Sequence, residues 1–269
     1  MQTQTRKYKM IQSSTPIPHD VMREYCPAIF ATEPFSECSN KYRFISTIDA
    51  LEALEAEGFA AYMVGQTTPK NEDKHDFAKH MIRLRRDNAL SGGIANEIIL
   101  KNSSDRSTAA IMMAGVFRMV CMNGMIAGKV SQEIHIAHRG HQIDDYINGA
   151  YTIVNQFEKV DESRERMQQK TLSLDEQYSF VKDAAKLRWP DEEQNIIDPR
   201  YLAQTHRYED LGNDLWTFFN VVQENLIKGG VKGRATKGGI RTIRKVTGLD
   251  ALTNLNKGLW DLADQYVGA

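Results

Sequence analysis

Residues 80–86 read HMIRLRR, with Ile82 and Leu84 alternating with Arg83 and Arg85. A period of two is the spacing of a strand, because successive side chains of an extended backbone point to opposite faces. Three further runs are short and β-compatible without alternating: FAAYMVGQT from Phe59, NEIILKNSS from Asn96 and TAAIMMAGVFR from Thr108. Polar or glycine-bearing links, TTPKNEDKHD, DNALSGG and DRS, separate them. Short β-compatible runs with tight connections predict an antiparallel sheet of about four strands. Within it, a strand at HMIRLRR would bury its aliphatics on one face and display guanidinium groups on the other. Arg83, Arg85, Arg86, Lys101 and Arg118 lie in or beside these strands, so one face is expected to be basic.

Helical spacing brackets the sheet. Upstream, STIDALEALEAEG places Ile48, Leu51 and Leu54 on one face, with Thr47 as a candidate cap and Gly58 as the stop. Downstream, Ile143, Ile147, Tyr151, Val154 and Phe157 follow steps of three or four, predicting one long helix to about Lys170. LSLDEQYSFVKDAAKLRW supplies another ending at Pro190, DLWTFFNVVQENLIKGG a third and LDALTNLNKGLWDLADQYV a last one. The fold class is therefore α+β, an antiparallel sheet flanked by helices with a helical C-terminal half. The first 40 residues hold four of the seven prolines and read as an extended arm. Residues 41–225 form the core, 226–248 a basic glycine-rich loop and 249–269 a terminal helix that packs on the core. At 269 residues the chain suits one large core with appendages.

Charge is balanced overall and uneven locally. The formal net charge is −1, which excludes a generic polyanion binder. Yet Ala78–Gly140 carries nine Lys and Arg against four Asp and Glu, and His141–Leu215 carries nine against sixteen. The stretch LIKGGVKGRATKGGIRTIRKVT, 226–247, then gathers Lys228, Lys232, Arg234, Lys237, Arg241, Arg244 and Lys245 with five glycines and no acid. Cations among residues that let backbone approach a ligand suit a polynucleotide. The stretch satisfies neither GxxxxGK[ST] nor a GxGxxG after a strand, so no nucleotide cofactor is expected.

Other chemistry is thinly represented. Cys26, Cys38 and Cys121 lack zinc spacing and are odd in number, which points to a reducing compartment. His135, His138 and His141 are three apart, but Gly140 and the strand-like IHIAH argue against the regular helix a metal site would need. Glu97, Asp105 and Glu133 would have to converge to form a nuclease centre, so no catalytic residues are assigned. In AGVFRMVCMNGMIAG, Asn123-Gly124 is a strong turn signal, and Val116, Met119, Val120, Cys121 and Met122 read as a buried approach to it. The longest apolar run, AAIMMAGVF, falls short of the roughly 20 residues that span a bilayer, and a cytoplasmic protein is expected.

The run Asn96–Gly128, with RLR at 83–85, LWTFFNVVQENLIKGG and LNKGLW, contains FRxVCxNG and NxxQENLxxGG. In these motifs the chain, over about residues 40–265, resembles a family of phage- and plasmid-borne proteins catalogued as domain of unknown function nine hundred and thirty-two. The order of helix, antiparallel strands and long helix is also similar to Redβ-type single-strand annealing proteins. That resemblance implies a non-catalytic protein that binds single-stranded DNA, anneals or recombines it, and assembles into a ring or filament. Arg83, Arg85 and Arg118 would line a groove, and Lys232, Arg234, Lys237, Arg241 and Arg244 would clamp the phosphates. The rival expectation is an anti-defence protein of a mobile element that inhibits a host nucleic-acid-processing complex, its acidic block mimicking DNA.

Overall fold

A computed structural model describes residues 9–38, 44–86, 89–136, 142–190, 197–235 and 238–268. It divides into two compact units, Met1–Phe117 with Gln132–Phe157, and Arg118–Ser131 with Glu158–Ala269.

The first unit is an antiparallel sheet with three helices. Its strands are β1 (Lys9–Gln12), β2 (Phe59–Gln66), β3 (His80–Arg86), β4 (Ile94–Asn102), β5 (Ile111–Arg118) and, after β6 (Asn123–Ile126) of the second unit, β7 (Ile134–His135). The order runs β1-β2-β3-β4-β5, and β7 pairs with β5. Among the described residues this unit has six strands in place of the expected four or so. The two additions are short and come from segments without a long alternating run. One of them, β1, lies in the N-terminal stretch expected to be an extended arm. Lys9–Gln12 pairs with β2, and α1 (His19–Tyr25) follows. Ile17, Met22, Cys26 and Ile29 are buried, so the apolar residues between the prolines hold this segment on the sheet.

Register sets the two faces. Ile82 lies opposite Val64 and Leu100, forming an aliphatic row across three strands. His80 lies opposite Asn102, and both reach Thr47 of α2 (Thr47–Ala56), at 3.0 and 2.9 Å. Ser46, not Thr47, caps α2 by accepting from the Asp49 amide; the Thr47 hydroxyl is taken by the core. The expected helix from 143 to 170 breaks in two. α3 (Gln142–Val154) tightens to an i→i−3 bond at Gln156 and ends, and α4 (Phe157–Gln169) restarts.

The second unit holds β6, most of α4, α5 (Leu174–Arg188), α6 (Leu215–Lys228), a hairpin of β8 (Lys232–Arg234) and β9 (Ile240–Thr242), and α7 (Leu249–Val267). A complete capping box, Ser173 with Glu176, starts α5. Its core is aromatic: Phe180 meets Phe218 edge-on at 5.9 Å, and Trp260 meets Trp216 and Phe219 at 5.9 and 6.0 Å. Asn123-Gly124 does not form the turn expected of it. The chain turns over Met119–Met122, Met122 takes the positive φ of 50°, and Asn123 already begins β6. Met119 and Val120 are consequently exposed, at 37% and 43%.

Candidate nucleic-acid interface

The cations singled out by sequence fall into two groups, those compensated inside the protein and those displayed to solvent. Arg83 and Arg85 belong to the first. The face they occupy is covered, leaving them 4% and 5% exposed. Both reach the fully buried carboxylate of Glu97, Arg83 Nη1 at 3.1 Å and Arg85 Nε at 2.7 Å. A register shift between Ala61 and Met63 puts Tyr62 in a bulge, and the Arg85 guanidinium stacks on its ring at 4.4 Å and on Phe117 at 3.6 Å. The basic sheet face is therefore an interior ion cluster. Alternation located the arginines on one face, but it carries no information on whether that face is covered. Lys101 is 9% exposed, and Arg86, at the open end of β3, is exposed and lies over Phe59 and Tyr151.

Arg118 and Lys228 sit in a second network, within the second unit. Arg118 donates to Asp210 at 2.6 Å, and Arg207 bonds Asp210 at 2.9 Å and both oxygens of Glu224 at 2.6 Å. Lys228 reaches Glu224 at 3.1 Å and the carbonyl of Cys121. The neighbouring side chains of QEN also satisfy internal groups. Gln223 donates to Asn256 of LNKGLW at 2.9 Å, and Asn225 donates to the carbonyls of Leu202 and Gln204. The two specific motifs thus build one buried polar scaffold. Burial pushes the Cys121 thiol up, against the pull of Arg118, and burial likewise raises Cys26; neither is poised as a thiolate.

The displayed group is the hairpin. The stretch read as a loop contains β8 and β9, with Lys232 opposite Thr242, Gly233 opposite Arg241 and Arg234 opposite Ile240. Gly238 and Gly239 carry positive φ, 90° and 77°, at its turn. Lys232, Arg234, Arg241, Arg244 and Lys245 are all exposed, and none has a side-chain ion pair among the described residues. Lys237 lies outside the described residues, as do His138 and His141. The hairpin is anchored at its base. Val231 and Ile243 are buried, Arg188 donates to the carbonyls of Leu226 and Arg244, and Asp198 N donates to Arg234 O at 2.9 Å. Gly229, at φ 68°, closes α6; a Cβ there would sit 2.6 Å from the Arg244 carbonyl carbon.

Aromatic surface adjoins these charges, and the sequence reading missed it. Gly233 packs on the Tyr201 ring so closely that a Cβ would lie 2.6 Å from Cδ2. Tyr201 is still 39% exposed and, with Lys232, Arg234 and Ile240, lines an open groove of about 670 Å³. Tyr178 on α5 is 48% exposed, with the Lys182 ammonium 5.8 Å from its ring centre. The only signal in sequence was an isolated PRYLA far from the basic run.

Among the described residues no three His, Cys, Asp or Glu side chains come together to hold a metal, and no helix is long and apolar enough to cross a membrane. The molecule is thus a mixed α/β protein that buries its motif charges and displays a basic hairpin. Residues 34–260 match the family described as Domain of unknown function (DUF932), and the chain belongs to that family. It is 35% identical over 255 residues to the UPF0380 proteins YfjQ and YafZ of Escherichia coli (strain K12), covering 95% of this chain and 93% of each relative. No solved structure matches.

Proposed function

We propose that the protein binds single-stranded DNA through the β8–β9 hairpin and promotes annealing or recombination without catalysing a chemical step. The observation that carries this reading is the set of five exposed cations between Lys232 and Lys245, without ion-pair partners among the described residues, beside the exposed ring of Tyr201. Cations track a phosphate backbone and an aromatic face stacks bases irrespective of sequence, a combination suited to single strands. An annealing activity of the Redβ type, in the setting of a phage or plasmid, is part of the proposal and rests on analogy of layout, an antiparallel sheet followed by helices. β1 stands at one end of the strand order, an edge through which copies could assemble into a ring or filament. The anti-defence alternative is less favoured, because acids of the block from 141 to 215 are engaged internally, among them Asp161 with Arg164, Glu176 with Lys170 and Asp198 with Arg200.

The test is fluorescence anisotropy of a labelled oligonucleotide, single- and double-stranded, across a salt series. If all five cations meet phosphates, the slope of log K against log salt for single strands is about −3.5, at roughly 0.7 per contact. Replacing Lys232, Arg234 and Arg241 with Ala should flatten it by about 2. Unchanged affinity and slope in that triple variant would sink the hairpin assignment, and light scattering with and without DNA reads the assembly.

A further inference from the structure

The exposed ring of Tyr201 has a neighbour outside the hairpin groove. Tyr201 lies on the short 3₁₀ helix Pro199–Ala203, which packs against α5. Tyr178, on α5, is 48% exposed. Arg200 connects the two. Its side chain is 72% exposed, and its guanidinium is held above the usual arginine range chiefly by bonds to Asp198, with smaller contributions from the phenols of Tyr178 and then Tyr201. One exposed guanidinium thus lies within electrostatic reach of both rings.

Each ring also has cations beside it. The Lys182 ammonium, one turn further along α5, sits 5.8 Å from the Tyr178 ring centre, and Lys232 and Arg234 line the groove with Tyr201. Asp198 gives both carboxylate oxygens to Arg200, at 2.5 to 3.1 Å, so that pair adds no net charge. Asp175, three residues before Tyr178, is exposed, which makes the Lys182 side of the ring the favourable one for a phosphate. Rings flanked by cations match the chemistry of a single strand, whose bases are free to stack while its phosphates meet Lys and Arg. A duplex keeps its bases stacked on one another and has no use for a second ring.

We propose that the single-strand path runs on from the hairpin past Tyr201 to Tyr178 on α5, with one base stacked on each ring. Phosphates lie beside Lys232 and Arg234 at the hairpin end and beside Lys182 at the α5 end. This rests on the single-strand reading of the hairpin and extends it: the site takes a run of nucleotides, and a ligand too short to reach α5 loses one stacking partner.

Anisotropy of labelled oligodeoxythymidines of about 4 and about 16 nucleotides, the ends of the range that compact single-strand sites span, separates the two stations. The hairpin with Tyr201 holds the short one, whereas the long one also reaches Tyr178. Tyr178→Ala should weaken the long oligonucleotide at least about fivefold, the low end for one stacked base, and leave the short one unchanged. Tyr178→Phe, which keeps the ring, should bind as the unaltered chain does. Because Tyr178 is exposed, neither variant disturbs the core. Suppose Tyr178→Ala leaves the long oligonucleotide unaffected while the triple variant of Lys232, Arg234 and Arg241 still weakens it. The extension is then overturned and the hairpin reading stands. Equal weakening of both lengths overturns the extension too, as does a Phe variant as weak as the Ala one. Absence of binding at either length overturns the hairpin reading and this one with it.

Discussion

Glu97→Gln removes the one charge that Arg83 and Arg85 share while keeping the side chain's shape. The carboxylate is fully buried, with guanidinium partners at 3.1 and 2.7 Å whose side chains are each 5% exposed. Removing one partner of a buried ion pair costs about 3–5 kcal/mol, because the other charge stays buried without compensation. The substituted side chain keeps an amide oxygen that can accept from one arginine, so the lower end, about 3 kcal/mol, applies. Against a typical domain stability of about 5–15 kcal/mol this is a large loss. In urea it moves the midpoint down by about 1.5 M, for an m-value of about 2 kcal/mol/M. Far-UV circular dichroism is the appropriate probe, because Trp189, Trp216 and Trp260 all lie in the second unit and tryptophan fluorescence does not report on the first. A loss below about 1 kcal/mol, the scale of an ordinary neutral hydrogen bond, would refute the view that these arginines are structural. DNA affinity of the folded variant should be unaltered.

Three further outcomes are expected. Burial pushes His80 down to about 4, and because its Nδ1 donates to the Ala78 carbonyl, its Nε2 accepts from the Thr47 hydroxyl. A folded-state pKa below the ordinary 6.5 means the unfolded chain binds the proton first, so stability is full above about pH 6.5 and declines by roughly 3 kcal/mol on acidification to about pH 4. His80→Gln should flatten that part of the urea-midpoint profile, and an unchanged slope would contradict the assignment. Gly229→Ala combines a backbone conformation at φ 68° and ψ −154° that is essentially confined to glycine, worth about 1–3 kcal/mol, with a Cβ 2.6 Å from the backbone of Arg244; thermal melting should register the loss, and DNA affinity should drop as the hairpin base shifts. Tyr201→Ala should weaken single-strand binding by about 1–3 kcal/mol per stacked base while leaving the salt slope intact, and a change of slope instead would mean Tyr201 only supports the cations.

Local pattern carried much of the fold. Alternation located β3, β-compatible apolar runs between polar links located β2, β4 and β5, and helical runs with their stop signals located α5, α6 and α7, because all of these depend on neighbouring residues alone. β1, the short β7 and the division between α3 and α4 were not legible. They arise from pairing with distant strands or from a helix end set by hydrogen bonding, and they leave little local trace. Candidate site residues divide the same way. The one-sidedness of 228–245 was visible as composition, and its exposed cations are where such a run would put them.

The sequence by itself determined the antiparallel core, the helical second half and the presence of an uncompensated basic stretch, since each is a property of consecutive residues. Only the tertiary structure decided which cations are available. Arg83 and Arg85 meet Glu97 across two strands, Arg118 meets Asp210 after ninety-two residues of chain, and Lys228 meets Glu224, whereas five cations of the hairpin face solvent. Charge is a local property and its compensation is a spatial one, so identical arginine signals in sequence become an interior scaffold in one place and a solvent-exposed basic surface in another.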